Sequence, residues 1–262
     1  MFKYAVSDLA SSIWRIDVAA AIAWNDLRAR FERTLLGPFW IVISNVMLVA
    51  GITVVFGALF NNPIQEYVVY VSLGITVWTF LSSIVSEGPN YLYLGRDMLF
   101  TFSQPWSLQI LRRIILQVII LLLHIFVFAA VILLFQVELT PYALLSVLGI
   151  IINIVFAYGL SLGLSAIGSR YRDLSHALGS VMVFLFLFTP VFWNVEALGE
   201  ARFSVVMFNP FYHLIEVVRG PIVSPGFEVI NWVVASFTAL ITLLVGISVY
   251  VGRRKEMAAW LQ

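Results

Sequence analysis

The chain contains no cysteine, which excludes disulfide bonds, thiolate metal sites and cysteine nucleophiles together. Charged residues are also scarce: Asp, Glu, Lys and Arg make up 11% of its 262 residues, against about 25% in a soluble domain. No GxxxxGK[ST] sequence is present, so the chain has no P-loop with which to bind ATP itself. The formal net charge is +1 and there is no Lys/Arg run of the kind that binds phosphate backbones, so no nucleic-acid surface is predicted. A chain this poor in charge could not cover itself with a water-facing surface.

Apolar residues dominate instead, at 61% of the chain with a mean hydropathy of +0.99. A membrane-spanning helix needs about 20 predominantly apolar residues, and a charge at its centre is costly. Charge-free windows, trimmed at turn signals, predict six such spans near residues 39–60, 67–86, 114–135, 142–167, 177–193 and 229–251. The sequence therefore predicts an all-α membrane protein in which residues 1–262 form a single transmembrane domain.

The basic residues are distributed unevenly between the two sides of this six-span arrangement. An even number of spans places both termini on one side, and all but two of the fifteen Lys and Arg residues fall there. The two exceptions are Arg202 and Arg219. Since basic residues concentrate on the cytoplasmic side of membrane proteins, both termini are predicted to be cytoplasmic.

Residues 11–35 precede the first span and carry an apolar stripe at helical spacing. This periodicity predicts an amphipathic helix along the cytoplasmic membrane interface. The alternative is an ordinary basic flank that only fixes the orientation of the first span. The stripe consists of Ala20, Trp24, Leu27, Phe31 and Leu35.

The segment 88–104 is part of the longest predicted cytoplasmic connection between spans. Within it, residues 91–103 are predicted to form a short helix with Arg96 and Asp97 at its middle. A connection of this size without a fold of its own is expected to dock onto another protein. The charged loop at 169–176 is shorter and fits a topology-fixing role as well as a functional one.

The outer connection at 194–228 contains two apolar stretches that are too short to cross the membrane. The longer, 211–223, reaches about 20 Å as a helix, whereas the hydrocarbon core is about 30 Å thick. Asn209 and Pro210 separate the stretches, because proline disfavours the helical conformation in the residue before it. The pattern predicts a re-entrant helical hairpin over 197–223, between the fifth and sixth spans. Glu216 and Arg219, one turn apart on its second arm, are expected to neutralise each other.

Acidic and basic side chains are absent from the predicted spans, where only His124 is titratable. Proton-coupled transporters generally need such groups, so the energy source is expected to be external. We expect His124 to be packed and hydrogen-bonded. His124, His176 and His213 fall in different regions, so neither a metal site nor catalytic residues are predicted. A membrane-embedded transferase, which would show paired acids or a His–Asp combination, is a minor alternative.

Three segments carry motifs in a characteristic order. Residues 33–40 (RTLLGPFW) lead into the first span, residues 169–174 (SRYRDL) precede the fifth, and residues 209–219 (NPFYHLIEVVR) precede the last. In this order and topology they resemble the polysaccharide-export ABC permeases, the membrane subunits that export O-antigen, capsule and teichoic acid chains. The resemblance spans nearly the whole chain. A drug or lipid exporter of the same ABC type is the alternative.

The resemblance implies a homodimer of permeases in the cytoplasmic (inner) membrane of a bacterium, with two separate ATPase subunits docked beneath it. Those subunits would bind ATP and Mg, and this chain would hold no cofactor. The 88–104 segment would be the coupling helix, which contacts the ATPase through Tyr91, Arg96 and Asp97. The substrate would be a long glycan on a polyprenyl pyrophosphate lipid. Its pyrophosphate is expected to meet the arginines of the interface helix, which can bind phosphate bidentately: Arg28, Arg30 and Arg33.

Aromatic side chains, 15% of the chain, supply faces on which such a glycan could lie. Phe184, Phe188 and Phe192 recur at intervals of four on one predicted face of the fifth span, with Trp193 adjacent. They are predicted to line the export pore. Aromatics that pack against lipid or against other helices are the alternative.

Overall fold

The computed structural model describes residues 2–60, 63–102, 104–194, 206–224 and 226–261, and within these ranges every regular element is helical. Short 3-10 turns lie at Gly88–Asn90 and Pro141–Leu144. The predicted all-α class is confirmed. The α-helices are α1 (Phe2–Trp14), α2 (Ile16–Arg30), α3 (Phe39–Phe60), α4 (Ile64–Glu87), α5 (Tyr91–Leu94), α6 (Arg96–Thr101), α7 (Trp106–Phe135), α8 (Leu145–Gly168), α9 (Leu174–Phe188), α10 (Pro210–Val223) and α11 (Val229–Trp260).

Five of the described helices, α3, α4, α7, α8 and α11, are long and apolar enough to cross a membrane. They coincide with five of the six predicted spans. Helix α7 begins ahead of its predicted span, and α11 extends nine residues past the predicted end at residue 251. The reason is physical: hydrocarbon excludes charged side chains, but a helix continues through the interface into water. Charge-free windows therefore locate the apolar part of each helix and not its ends.

Helix α9 lies where the fifth span is predicted, but it has only 15 residues, or about 22 Å. It ends because Pro190 follows Thr189, whose backbone is extended at φ −91° and ψ 132°. The predicted fifth span, 177–193, therefore continues beyond the helix as irregular chain. The six-span count stays a prediction.

The core of the bundle is built around α4, which packs against α3, α7, α9 and α10. The closest helix pair is α8 with α11, where the backbones meet at Gly159 and Gly246. A Cβ atom added to Gly246 would overlap the Gly159 carbonyl oxygen. Small residues allow this approach, which is how helices associate where lipid removes the hydrophobic driving force.

The bundle has two ends, which we name by their peripheral helices. Helices α2, α5 and α6 lie at the α2 end, together with the C-terminus of α4 and the N-terminus of α7. The C-terminus of α10, the N-terminus of α4 and the N-terminus of α11 lie at the opposite α10 end.

The N-terminal region forms two helices, so the prediction of one helix over 11–35 is wrong in its bounds. The chain breaks at Arg15, and α2 ends at Arg30. The buried stripe of α2 is also offset, because α2 packs closely on α7 through the small residues Ala19 and Ala23 together with Leu27. Trp24, predicted in the stripe, is 50% exposed on the other side of the helix.

Helix α1 is fixed by Asp8, which no sequence pattern singled out. Its carboxylate accepts from the backbone N–H groups of Trp106 (2.8 Å) and Ser107 (3.0 Å), and so caps the N-terminus of α7. It also accepts from the hydroxyl of Tyr250 at 2.7 Å and lies 3.6 Å from the Arg254 guanidinium. One side chain thus ties α1, α7 and α11 together.

Candidate transport site and coupling surfaces

Arg219 on α10 is a fully buried cation. Its guanidinium forms an ion pair with Glu216, with Nε 3.2 Å from Oε1. It also donates to the backbone carbonyls of Pro190 (2.9 Å) and Val191 (3.2 Å), and it stacks on the ring of Tyr70 at 3.7 Å. The expected Glu216–Arg219 pair is present, and the guanidinium has three further partners that spacing could not reveal.

These contacts hold residues 189–193, the irregular chain that follows α9. Because Pro190 breaks the helix, carbonyl groups in this segment lack helical partners and need donors inside the bundle. Arg219 supplies two of them, the Tyr67 hydroxyl donates to Phe192, and the Tyr70 hydroxyl donates to Trp193 at 3.0 Å. The Val191 carbonyl oxygen also lies so close to Gly74 that a Cβ atom added to Gly74 would clash with it. Side chains of α4 and α10 thus hold the 189–193 segment in a fixed place in the bundle.

Asn209 and Pro210, which were predicted to separate two short helices, stand at the start of α10. The Asn209 side chain accepts from the Phe211 N–H at 3.0 Å as a helix cap, and its amide donates to Thr189 at 2.8 Å. Residues 195–205 lie outside the described part of the chain, and with them most of the first arm of the predicted hairpin.

Helix α10 runs antiparallel to α8 and lies inside the bundle. Near its start, Phe211 contacts Trp78 and Phe156, each about 16–21 Å along its own helix from the α10 end. Further on, the Val218 carbonyl accepts from the hydroxyl of Ser146, near the N-terminus of α8, at 2.7 Å. The helix therefore starts deep between α4 and α8 and rises to the α10 end.

A cavity of about 290 Å³ opens beside Arg219 at the α10 end. Its lining mixes aromatic faces with charges of both signs, a combination suited to polar, hydroxyl-rich ligands. The side chains that give it this character are Tyr70, Tyr212, Glu216, Arg219, Glu228, Asn231 and Trp232.

The four predicted pore aromatics do not share one face. Phe184 and Phe188 stack with centroids 4.4 Å apart and are more than half exposed on α9. Phe192 lies beyond the helix end and is buried against Phe56 and Phe186. Because Pro190 ends the helix, the interval of four that placed Phe192 on the same face no longer applies. Trp193, half-buried, donates from its indole N–H to the Leu187 carbonyl at 3.2 Å.

The 88–104 segment contains α5 and α6 rather than one helix. Tyr91 is buried in the core, so the structure does not present its side chain to a partner. Arg96 and Asp97 form an ion pair at 3.5 Å on the surface, and the Asp97 side chain is 94% exposed. Leu94 and Phe100, both at least half exposed, flank them and complete an apolar and charged face that we call the coupling face.

The charged loop at 169–173 lies beside the coupling face. The guanidinium groups of Arg96 and Arg172 lie 4.8 Å and 4.6 Å from the ring of Tyr93. The proximity of Arg96 and Arg172 was not predicted, because two cations repel each other. The Tyr93 ring lies close to both guanidinium groups and so brings the two loops together.

Two of the three interface arginines, Arg28 and Arg30, are exposed in the last turn of α2. Arg33 is exposed in the following turn and adopts a left-handed conformation at φ 63°. The three do not lie on one helix, but all remain at the α2 end, where they can face lipid headgroups.

Arg112, which sequence analysis treated only as a topology signal, joins α2 to the coupling face. It donates to the Asp26 carboxylate of α2 with both Nε (2.6 Å) and a terminal nitrogen, and its side chain is 10% exposed. Another of its nitrogens lies 3.0 Å from the Met98 sulfur on α6. A bidentate, largely buried ion pair fixes the relative position of its two side chains. Through this pair and the Met98 contact, the Arg112 guanidinium holds α2 and α6 together.

Among the residues that the structure describes, no three His, Asp or Glu side chains converge on a common point. The fold and these sites define a multi-pass α-helical membrane protein whose ion pairs lie beside a cavity and at the ends of the bundle.

Comparison with known proteins identifies the family. Residues 18–223 match the model of the ABC-2 type transporter family, and the chain belongs to that family. A protein of Klebsiella pneumoniae named O-antigen export system permease protein RfbA is 23% identical over 240 residues, 89% of this chain and 91% of that one. A protein of Myxococcus xanthus with the same name is 20% identical over 196 residues, 74% of this chain and 75% of that one. The resemblance seen in the sequence is confirmed, and membership implies an ABC ATPase as partner.

Proposed function

We propose that this chain is the membrane-spanning permease subunit of an ATP-driven exporter that moves a lipid-linked polysaccharide, of O-antigen or capsule type, across the cytoplasmic membrane. The match to O-antigen export permeases over most of both chains carries the proposal. The separation of charge from the apolar helices supports it, since it leaves no chain of acids to couple transport to protons.

The proposed topology has six spans with both termini in the cytoplasm. The fifth span consists of α9 and the 189–193 segment, whose carbonyls are satisfied by Tyr67, Tyr70 and Arg219 and can therefore lie at membrane depth. The α2 end faces the cytoplasm, because the basic residues concentrate there.

Helix α10 is the second arm of a re-entrant hairpin over 197–223 at the outer mouth of the pore. The inclination of α10, from Phe211 deep in the bundle to Val218 near the α10 end, supports this arrangement. The buried Glu216–Arg219 pair supports it too, since an unpaired charge at that depth would be costly. The cavity beside Arg219 would then open towards the outside.

The working assembly is a homodimer of this chain with two ATPase subunits that bind ATP and Mg. The coupling face, with Arg96 and Asp97 at its centre, docks on the ATPase. The support is its combination of exposed apolar and charged side chains, with Leu94 55% exposed. Exposed apolar residues rimmed by charge are typical of protein interfaces.

The glycan path and the lipid anchor use different residues. Phe184 and Phe188 expose a stacked aromatic pair on α9, which suits the faces of sugar rings. Phe192 and Trp193 instead hold the chain in place after α9, Phe192 by packing on Phe56 and Phe186 and Trp193 by its hydrogen bond to Leu187. Pyrophosphate at the cytoplasmic interface would be met by the exposed guanidinium groups of Arg28, Arg30 and Arg33.

Deleting the gene in its native host is expected to abolish surface polysaccharide while lipid-linked polymer accumulates inside the cell, as immunoblots of the surface and of cell extracts would show. A plasmid copy should restore export.

An Arg96→Ala, Asp97→Ala copy should insert normally and fail to restore it, with loss of polymer-stimulated ATP hydrolysis in the purified complex. The matched control replaces Arg253 and Glu256, an exposed pair on α11. Unchanged surface polysaccharide with altered drug or lipid efflux would replace the proposal with the other exporter class.

Single cysteines test the topology, since the chain has none of its own. Cysteine at Gln65, Gln136 or Phe227 is expected to react with an impermeant maleimide in intact spheroplasts. Cysteine at Asp97 or Asp173 should react only after permeabilisation. Asp173 immediately precedes α9 and Phe227 lies two residues before α11. Reaction of both from the same side would contradict a single span followed by a re-entrant hairpin between them.

A further inference from the structure

A second cavity, of about 420 Å³, lies at the α2 end between α2, α3, α4 and α7. Its volume is within the range of small-molecule sites. We call it the α2 groove. The polar and charged residues in its lining are Arg30, Ser44, Asn45, Thr79, Ser83, Glu87, Gln117 and His124.

The polar lining of the α2 groove reaches into the apolar part of the bundle. On α4, Glu87, Ser83 and Thr79 follow one another at intervals of four, so they form a stripe about 12 Å long on one helix face. On α7, Gln117 and His124 are two turns apart, about 10 Å. Polar groups at this depth need water or a polar ligand, because lipid chains offer no hydrogen bonds.

Three buried side chains in the groove retain hydrogen-bonding capacity. His124 is 4% exposed and lines the groove, and within the described ranges no protein group makes a hydrogen bond to its ring nitrogens. Gln117 is 5% exposed and donates its amide to Glu87 at 3.1 Å, which leaves its carbonyl oxygen directed to no donor in the described part of the chain. Asn45 lines the same groove, and its buried Oδ1 has no hydrogen-bond partner in the described part of the chain, which indicates a ligand or ordered water.

The hydroxyl and carboxylate groups of the groove offer hydrogen-bond acceptors, beside the Asn45 amide, which can also donate. Each hydroxyl group in its lining already donates its proton to its own helix, at 2.8 Å: Ser44 to Trp40, Thr79 to Ile75, and Ser83 to Thr79. Their oxygens can therefore only accept, as do the Glu87 carboxylate and the Gln117 carbonyl. A primary ammonium has three donors and no acceptor, so it matches this surface.

The mouth of the groove adds a phosphate-binding group and a route for lipid chains. Arg30 lies at the mouth beside Glu87, and guanidinium binds phosphate oxygens strongly. Trp40 and Leu48 of α3 flank the groove and are 45% and 48% exposed, so the groove opens at the surface of the single chain along α3. Charges of both signs at one mouth fit a zwitterion better than a simple anion.

We infer that the α2 groove binds the headgroup of a membrane phospholipid that carries a primary ammonium beside its phosphate. The ammonium lies between Glu87 and Ser83, the phosphate meets Arg30, and the acyl chains follow the exposed face of α3. This inference depends on the membrane location of the chain and not on the exported substrate.

The test is native mass spectrometry of the full-length protein, purified in mild detergent, after equilibration with three lipids of identical acyl chains. The lipids are phosphatidylethanolamine, its N-trimethylated analogue phosphatidylcholine, and phosphatidylglycerol. The wild type is expected to retain the first about tenfold over the other two, the factor that a hydrogen bond to a charged group contributes. Equal retention of all three by the wild type would overturn the inference without any variant.

Two glutamine variants locate the effect on α4. Glu87→Gln should bring the ethanolamine-to-choline ratio to about one, because the carboxylate that binds the ammonium is gone. Glu66→Gln, an exposed change at the opposite end of the same helix, should leave the ratio unchanged. An unaltered ratio in a folded Glu87→Gln protein would also overturn the assignment. So would displacement of the lipid by equimolar soluble phosphoethanolamine, which would identify a water-soluble ligand instead.

Discussion

Replacing Arg219 with alanine is expected to abolish nearly all export. The change leaves Glu216 without its cation and the carbonyls of Pro190 and Val191 without a donor, all within the bundle. Removing one partner of a buried ion pair typically costs about 3–5 kcal/mol. Surface polysaccharide, normalised to the amount of protein in the membrane, measures the effect. The matched control is Arg253→Ala, which removes an exposed arginine from another i,i+3 pair, about 56% exposed, and should cost under about 1 kcal/mol.

A charge swap at the same pair separates two explanations. If mutual neutralisation were the whole role of Arg219, exchanging the residues as Glu216→Arg with Arg219→Glu would restore export. The structure predicts no restoration, because a carboxylate at position 219 cannot donate to the two carbonyls of the 189–193 segment. Export at the wild-type level in the swapped protein would show that those carbonyl contacts are dispensable.

Replacing Arg112 with leucine is expected to uncouple ATP hydrolysis from export. Arg112 is the side chain that holds Asp26 of α2 and Met98 of α6 together, so its loss should let the coupling face move without moving α2. The purified complex should keep most of its ATP hydrolysis while export falls at least about tenfold. A tenfold fall corresponds to about 1.4 kcal/mol, which is less than the loss of one partner of a buried ion pair typically costs. The measurement is polymer exported per ATP hydrolysed in proteoliposomes.

A neighbouring arginine provides the control for Arg112. Arg113→Leu removes the same charge from the same end of α7, but Arg113 makes no hydrogen bond or ion pair within the part of the chain that the structure describes. It should leave the ratio of transport to hydrolysis near the wild-type value. A paired Asp26→Leu, Arg112→Leu protein should insert better than either single variant, since no buried charge is left alone, and should still be uncoupled. Normal coupling in that double variant would reduce the pair to a stability role.

Local patterns predicted the parts of the site that are close in sequence. Asn209 and Pro210 were expected to precede a short helix over 211–223, and α10 begins there, because a helix cap depends on the residue itself and its next two neighbours. Glu216 and Arg219 were expected to pair, and they do, because one helical turn brings positions i and i+3 together whatever surrounds them. Tyr91 was missed as a core residue because its burial depends on how α5 packs against α7 and α8.

The sequence by itself determined that this is a helical membrane protein of an export family and where the apolar part of each long helix lies. Those properties follow from charge-free length and from short motifs, which need no knowledge of neighbouring helices. Only the tertiary structure decided which polar residues meet: Arg219 with the 189–193 segment, Asp8 with the start of α7, and Arg112 with Asp26. These partners lie between 28 and 98 positions apart in the chain. Helical periodicity fixes the direction of a side chain only relative to its own helix, and the packing of the bundle determines what that side chain reaches.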